Sequence, residues 1–366
     1  MLRKLALPHV LSISPYQPGK PIEEVAREIG VDDVESITKL ASNENPLGPS
    51  PLALQAIQRA LPRLHLYPDG SGYYLKQALS RKLNLPPEQI ILGNGSNEII
   101  ELIMHVFVGP EHAIVYAHPS FLVYRLMARV FGVRGIEVPL DRFTHDLKAM
   151  ARAVDEKTKV VFIANPNNPT GTAVLFQEIE EFLEAIPPQV ITVLDEAYYE
   201  YLPDSLKFNF LNCLESKRLI VLRTFSKVYG LAGIRIGYGL ASRECVEILN
   251  RVRQPFNTNS LAQVAAQAAL EDEEHIRATL KANRRGLETL NNGFQELGLD
   301  FVPSFANFIL VKVGKGMEVF EKLLQAGVIV RPMDMYNLPE WLRITVGLPE
   351  ENERLLKAMG QILKKE

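Results

Sequence analysis

The chain has 366 residues, 47% hydrophobic, 23% charged and 8% aromatic, which is room for about two domains and too apolar for intrinsic disorder. Forty Lys and Arg against 43 Asp and Glu leave a formal charge of −3, so no broad basic field exists to hold a nucleic acid by counterion release. The two cysteines, Cys213 and Cys245, have neither CxxC spacing nor a nearby His pair, which excludes a disulfide framework and a structural zinc site and points to a reducing compartment.

In chain order, the N-terminus carries a little positive charge, but Pro8 and Pro15 interrupt it before an apolar core or a small-residue cleavage site, so it does not read as a signal peptide. No run nears the roughly 18 apolar residues that span a bilayer, and a soluble, cytoplasmic protein is expected. Residues 1–45 are rich in proline and hold one short helical run, 22–29; they read as an arm laid on something else. Seven short apolar runs follow, at 90–92, 113–116, 136–138, 160–163, 190–194, 219–222 and 236–240. They are nearly continuous rather than alternating, as strands buried on both faces are. Helical stretches such as 97–107 and 177–185 separate most of them, so the spacing predicts an α/β domain with one seven-stranded, mostly parallel sheet. Beyond 255 a long helical tract, 260–297, precedes strand candidates at 308–311, 328–330 and 342–346 and a helix over 350–364. The expected division is an N-terminal arm, 1–45, joining a smaller α+β domain, 256–366, around a large domain, 46–255.

In open parallel sheets ligands gather at the carboxyl ends of the strands, so the residues after each strand carry the chemistry. Gly93-Asn94-Gly95-Ser96-Asn97 is either a glycine-rich helix cap or a phosphate cup; it is neither GxGxxG nor a P-loop. In Asn165-Pro166-Asn167-Asn168-Pro169-Thr170-Gly171, two prolines stiffen a loop that is either a plain turn or a mount for the Asn168 side chain. Asp195-Glu196-Ala197-Tyr198 puts an acid at a strand end, as a helix cap or as a ligand group. Thr224-Phe225-Ser226-Lys227, with Arg235 eight residues on, sets a lysine among hydroxyls and small apolar residues that would desolvate its amine. Together these loops offer a lysine to form an imine, a carboxylate for a pyridine nitrogen, a Tyr and an Asn for a ring hydroxyl, and hydroxyls, an Arg and a glycine cup for a phosphate. Those are the demands of pyridoxal 5′-phosphate. The seven His residues lack metal-ligand spacing, so no metal is expected, and Trp341 reads as packing rather than substrate contact.

NPNNPTG, DEAY and TFSK followed by R-I-G resemble the fold-type-I pyridoxal-phosphate aminotransferases over essentially the whole chain. The resemblance implies that Lys227 is the Schiff-base lysine, that Asp195 pairs with the pyridine nitrogen, and that Tyr198 and Asn168 meet the phenolic oxygen. It implies a phosphate site of Gly95, Ser96, Asn97, Thr224, Ser226 and Arg235, with Phe121 stacked on the ring. It also implies a homodimer in which Tyr67 reaches the phosphate of the neighbouring subunit's cofactor. A finer resemblance, carried by PYQPGKP at 15–21, LASNENPLGP at 40–49, PFNTNSLAQ at 255–263, VRPM at 330–333 and LRITVG at 342–347, is to the histidinol-phosphate aminotransferases. It implies histidinol phosphate and 2-oxoglutarate or glutamate as substrates, bound through Tyr16, Asn43, Arg331 and Arg343. Arg343 would clamp either the phosphate or an α-carboxylate, and Arg331 would add charge for the phosphate. Asn337 departs from the pattern, where glycine is usual, and a changed turn is expected there. Aromatic or prephenate aminotransferases, and more remotely a phosphothreonine decarboxylase, share most of these motifs.

Overall fold

The computed structural model describes residues 2–15, 21–30, 33–216 and 218–364. All seven predicted strands form and lie side by side in the order Ile90–Gly93, Gly237–Leu240, Leu219–Thr224, Ile191–Asp195, Thr158–Ala164, Ala113–His118, Arg134–Pro139. Four of the six pairings are parallel; Gly237–Leu240 runs antiparallel to both of its neighbours, making the sheet mixed. Six of the apolar runs are continuous because both faces are buried; the seventh lies in the edge strand Arg134–Pro139, which is mostly exposed. Val160 and Phe162 enter the core on one face, with Ile99, Ile103 and Tyr124 from the helices Ser96–Phe107 and Leu122–Val130. Val161 and Ile163 enter the opposite core, with Leu75, Leu79, Ile179 and Phe182 from Tyr73–Leu83 and Phe176–Ala185. Each such side chain contributes about 1.5–3 kcal/mol of burial, which holds the strand ends in register where the loops begin.

The predicted tract 260–297 is two helices, Ser260–Glu271 and Glu273–Glu296, broken at Asp272. The Asp272 carboxylate accepts from His275 N at 3.1 Å and from Ser50 Oγ at 2.5 Å, an N-cap that starts a new helix in a new direction. The first of these helices, assigned by sequence to the small domain, sends Ala262, Ala265, Ala266 and Ala269 into the core of the seven-stranded sheet. The C-terminal part forms a four-stranded antiparallel sheet in the order Arg331–Pro332, Trp341–Thr345, Phe308–Lys312, Phe301–Val302, backed by the helices Glu273–Glu296 and Pro349–Leu363. The strand expected over 328–330 is Val328–Ile329, and it pairs in parallel with Thr38–Lys39 from the arm instead of joining that sheet. The arm also holds a short helix, Pro8–Leu11, that its proline content concealed. Asn337 has φ 58°, the left-handed conformation that Gly favours and Asn tolerates, so the expected change of turn is confined to its side chain. Among the described residues no helix is long and apolar enough to cross a membrane.

Candidate active site

The carboxyl ends of five strands of the large sheet open onto one cavity of about 320 Å³, closed on its far side by residues 41–44 and by Arg331, Tyr336 and Arg343. Lys227, three residues past the end of Leu219–Thr224, points into it. Its Nζ lies 3.4 Å from Ser42 O and 5.6 Å from the centroid of the Tyr198 ring. Burial, with Arg343 and Arg235 adding repulsion, lowers the amine to about 8 against the pull of Glu44 and Asp195.

Asp195 ends the neighbouring strand and is 4% exposed. Burial pushes its carboxyl up to about 6, although the Tyr124 hydroxyl, the Ala197 N–H and the Lys227 charge all favour the anion. Tyr198 stands three residues on, in the turn after the strand, buried, edge-on to Phe308 at 5.2 Å, and its oxygen accepts from Asn43 Nδ2 at 2.8 Å. Burial pushes that phenol up to about 12, keeping it a donor at neutral pH.

Ser96 and Asn97 start the helix Ser96–Phe107 and line the cavity with their free backbone N–H groups. Gly95 precedes them at φ 77°, and a Cβ there would run into Arg235 Nη2. A Cβ on Gly237 would stand 2.6 Å from Ser96 N. Arg235 Nη1 donates to Ser226 Oγ at 3.4 Å, and Thr224 Oγ1 donates to the same oxygen at 3.0 Å. This glycine-walled cradle of N–H groups, hydroxyls and a guanidinium fits a phosphate. Phe121 lines the cavity beside it, edge-on to Tyr124 at 5.7 Å.

On the far wall, Arg343 is 7% exposed and braced: Nη1 donates to Asn168 Oδ1 at 2.6 Å and Nη2 to Ala41 O at 2.8 Å. Among the described residues its Nε has no partner and is sealed from solvent, so an anion in the cavity would meet the Nη groups. Arg331 is its cross-strand partner, half-buried and 3.6 Å from Met335 Sδ. Asn43, itself at φ 54°, ties the walls together: its N–H donates to Thr345 Oγ1 at 2.9 Å while its side chain reaches Tyr198.

Tyr67, chosen from sequence, is not brought into the cavity, and Gly95 stands behind Ser96 and Asn97 rather than lining it. Tyr67 is 83% exposed and stacked on Phe256 at 4.8 Å, and Tyr16 lies outside the described residues. Trp341 packs edge-on to Phe143 at 4.9 Å. Sequence reasoning missed Tyr124, whose only signal is an aromatic residue one helical turn after Phe121, and the backbone carbonyls of Ala41 and Ser42, which carry no signal in residue type.

The sequence pattern of the class I and II aminotransferases matches residues 35–359. The histidinol-phosphate aminotransferase of Moorella thermoacetica is 51% identical over 97% of this chain and 92% of its own length. Histidinol-phosphate aminotransferase 2 of Nitrosospira multiformis is 49% identical over 98% and 92%. Among solved structures, the histidinol-phosphate aminotransferase of Sinorhizobium meliloti in complex with pyridoxal 5′-phosphate superimposes with a TM-score of 0.90 at 27% identity, covering 98% of this chain and 97% of that one. With its cavity, its sheet order and its matched length all agreeing, the chain belongs to the class I and II aminotransferases.

Proposed function

We propose that the chain is a histidinol-phosphate transaminase: with pyridoxal 5′-phosphate it moves the amino group of L-histidinol phosphate to 2-oxoglutarate, giving imidazole-acetol phosphate and L-glutamate in histidine biosynthesis. The observation that carries this reading is the cross-strand pair Arg331 and Arg343, opening on the cavity that holds Lys227. Identities of 49% and 51% to histidinol-phosphate aminotransferases over nearly the full chain support it.

When bound, the cofactor supplies an aldehyde for the substrate amine and a protonated pyridine ring that draws electrons from the substrate Cα. Lys227 is its covalent anchor; once displaced, its amine takes the proton from Cα and returns it at C4′, and a group near 8 is poised for both directions. Asp195 keeps the pyridine nitrogen protonated by facing it as an anion. Phe121 stacks on the ring. Asn168 already accepts from Arg343 through Oδ1, so its Nδ2 is the atom left to donate, with the Tyr198 hydroxyl, to the phenolic oxygen. Gly95, Ser96, Asn97, Thr224, Ser226 and Arg235 hold the cofactor phosphate. Arg343 clamps the substrate phosphate or the α-carboxylate of glutamate, and Arg331 adds the charge a dianion needs. Asn43 holds the Tyr198 hydroxyl in place beside the substrate, and Tyr16 is a further substrate-binding residue on this reading.

In this reading residues 46–255 bind the cofactor, while 1–45 and 256–366 make the wall that meets the substrate. The active unit is a homodimer. Leu64, Leu66, Tyr67, Tyr73 and Tyr74 stand exposed within eleven residues of chain, a concentration of apolar side chains that a dimer contact would cover, and Tyr67 there reaches the partner's phosphate site. Two cysteines, neither in a disulfide, suit the cytoplasm. The test is chemical: holoenzyme given histidinol phosphate and 2-oxoglutarate should yield glutamate and imidazole-acetol phosphate in equal amounts. Carbon dioxide release without any need for 2-oxoglutarate, or no glutamate at all, overturns the assignment.

A further inference from the structure

Tyr124 belongs to no loop motif, yet its hydroxyl donates to Asp195 Oδ2 at 2.8 Å from the first turn of the helix Leu122–Val130. The side chain is fully buried, stacked on Phe162 at 4.7 Å and 13° between planes and edge-on to Phe121, so the hydroxyl has one address. Among the described residues the other carboxylate oxygen accepts only the Ala197 N–H, at 3.2 Å. Each oxygen of Asp195 thus has one protein donor, and the remaining lone pairs face the cavity. The charged and titratable groups around the carboxylate are Lys227 from the next strand end, Glu196 and Tyr198 from its own turn, and Tyr124. Of these only Tyr124 touches it through a side chain.

We propose that Tyr124 is a positioning residue that fixes the rotamer of Asp195 and holds it ionised against burial, so that the carboxylate stays paired with a ring N–H in the cavity as the pH falls. The inference rests on the cofactor reading above. A carboxylate in a dry site reverts to the neutral acid unless donors stabilise its charge, and a buried phenol is a donor that does not itself lose its proton in the working range.

The test is Tyr124→Phe, with the affinity of apoenzyme for pyridoxamine 5′-phosphate measured by equilibrium dialysis between pH 5.5 and 8.5. The free ligand's own titrations cancel in the ratio of variant to native protein. Losing one hydrogen bond to a charged group raises the Asp195 pKa by about one unit, so affinity should fall about five- to tenfold at pH 5.5 and by less than about twofold at pH 8.5. A loss of equal size at every pH means that Tyr124 only packs, and overturns the proposal. In an Asp195→Asn background the same Tyr124→Phe change should have no pH-dependent effect; a persisting one is equally fatal. If native apoenzyme fails to bind the probe at any pH, the cofactor reading itself is wrong, a result distinct from either outcome.

Discussion

The cavity has two walls built on different principles. The wall at the strand ends is held by a sheet whose six inner and cavity-side strands are buried on both faces, with only the edge strand Arg134–Pro139 largely exposed, and its chemical groups sit within a few residues of the buried strands: Asp195 at the end of one, Thr224, Ser226 and Lys227 at the end of another. The facing wall is assembled from distant pieces. Ala41 meets Arg343 across 302 positions, Asn43 meets Tyr198 across 155, and Arg331 enters through a strand two residues long. The first wall is rigid and addresses the cofactor; the second depends on side chains bracing one another and addresses the substrate. Losses in the first should therefore stop all chemistry, while losses in the second should weaken substrate binding, in both half-reactions at Arg343, which either anion shares, and in one at Arg331.

The largest expected effect tests the first wall. Lys227→Ala should lower turnover by at least about 10⁴-fold and abolish the borohydride-trapped adduct, because both the covalent anchor and the proton carrier go. A variant retaining either breaks the assignment. Next, Arg343→Ala should lower kcat/KM in both half-reactions by about 10²–10³-fold, the consequence of stripping a braced, desolvated charge from an anion. An intact glutamate half-reaction would show that Arg343 serves one substrate only. Arg331→Ala should cost about tenfold with histidinol phosphate and less than about threefold with glutamate, since a dianion needs the second charge and a carboxylate does not.

The smallest effect is a pH dependence. With the Lys227 amine lowered to about 8, its neutral, reactive fraction rises with pH and is lost as pH falls through that value. The rate at which apoenzyme condenses with pyridoxal 5′-phosphate should climb about fivefold from pH 7 to 8 and level off above pH 9. A profile still climbing steeply at pH 10 would mean a solvated lysine.

The same contrast explains what could be read from the sequence. Six of the seven strands are legible because burial on both faces writes an unbroken apolar run, the edge strand Arg134–Pro139 keeping only a short one, and the loops after them are legible because Asp195, Lys227 and Asn168 sit where a strand has just ended. Thr38–Lys39 and Arg331–Pro332 are too short to leave a pattern, and their pairing partners lie far along the chain. Asp272 splits a tract that looks helical throughout because an N-cap and an interior Asp are the same letter; the His275 N–H and the Ser50 hydroxyl it accepts from distinguish them. Tyr124 was illegible for a related reason. A helix aromatic announces burial, and nothing in its neighbours says that its hydroxyl meets a carboxylate 71 positions on.

The account stands most directly on the choice of amino donor. Holoenzyme mixed in single turnovers with histidinol phosphate, phenylalanine, tyrosine and arogenate, and followed by the bleaching of the cofactor's visible absorbance, gives kcat/KM for each. Two arginines at paired positions predict that histidinol phosphate is preferred by at least about 10²-fold, and that Arg331→Ala narrows the gap. An aromatic amino acid reacting as fast as, or faster than, histidinol phosphate would contradict it.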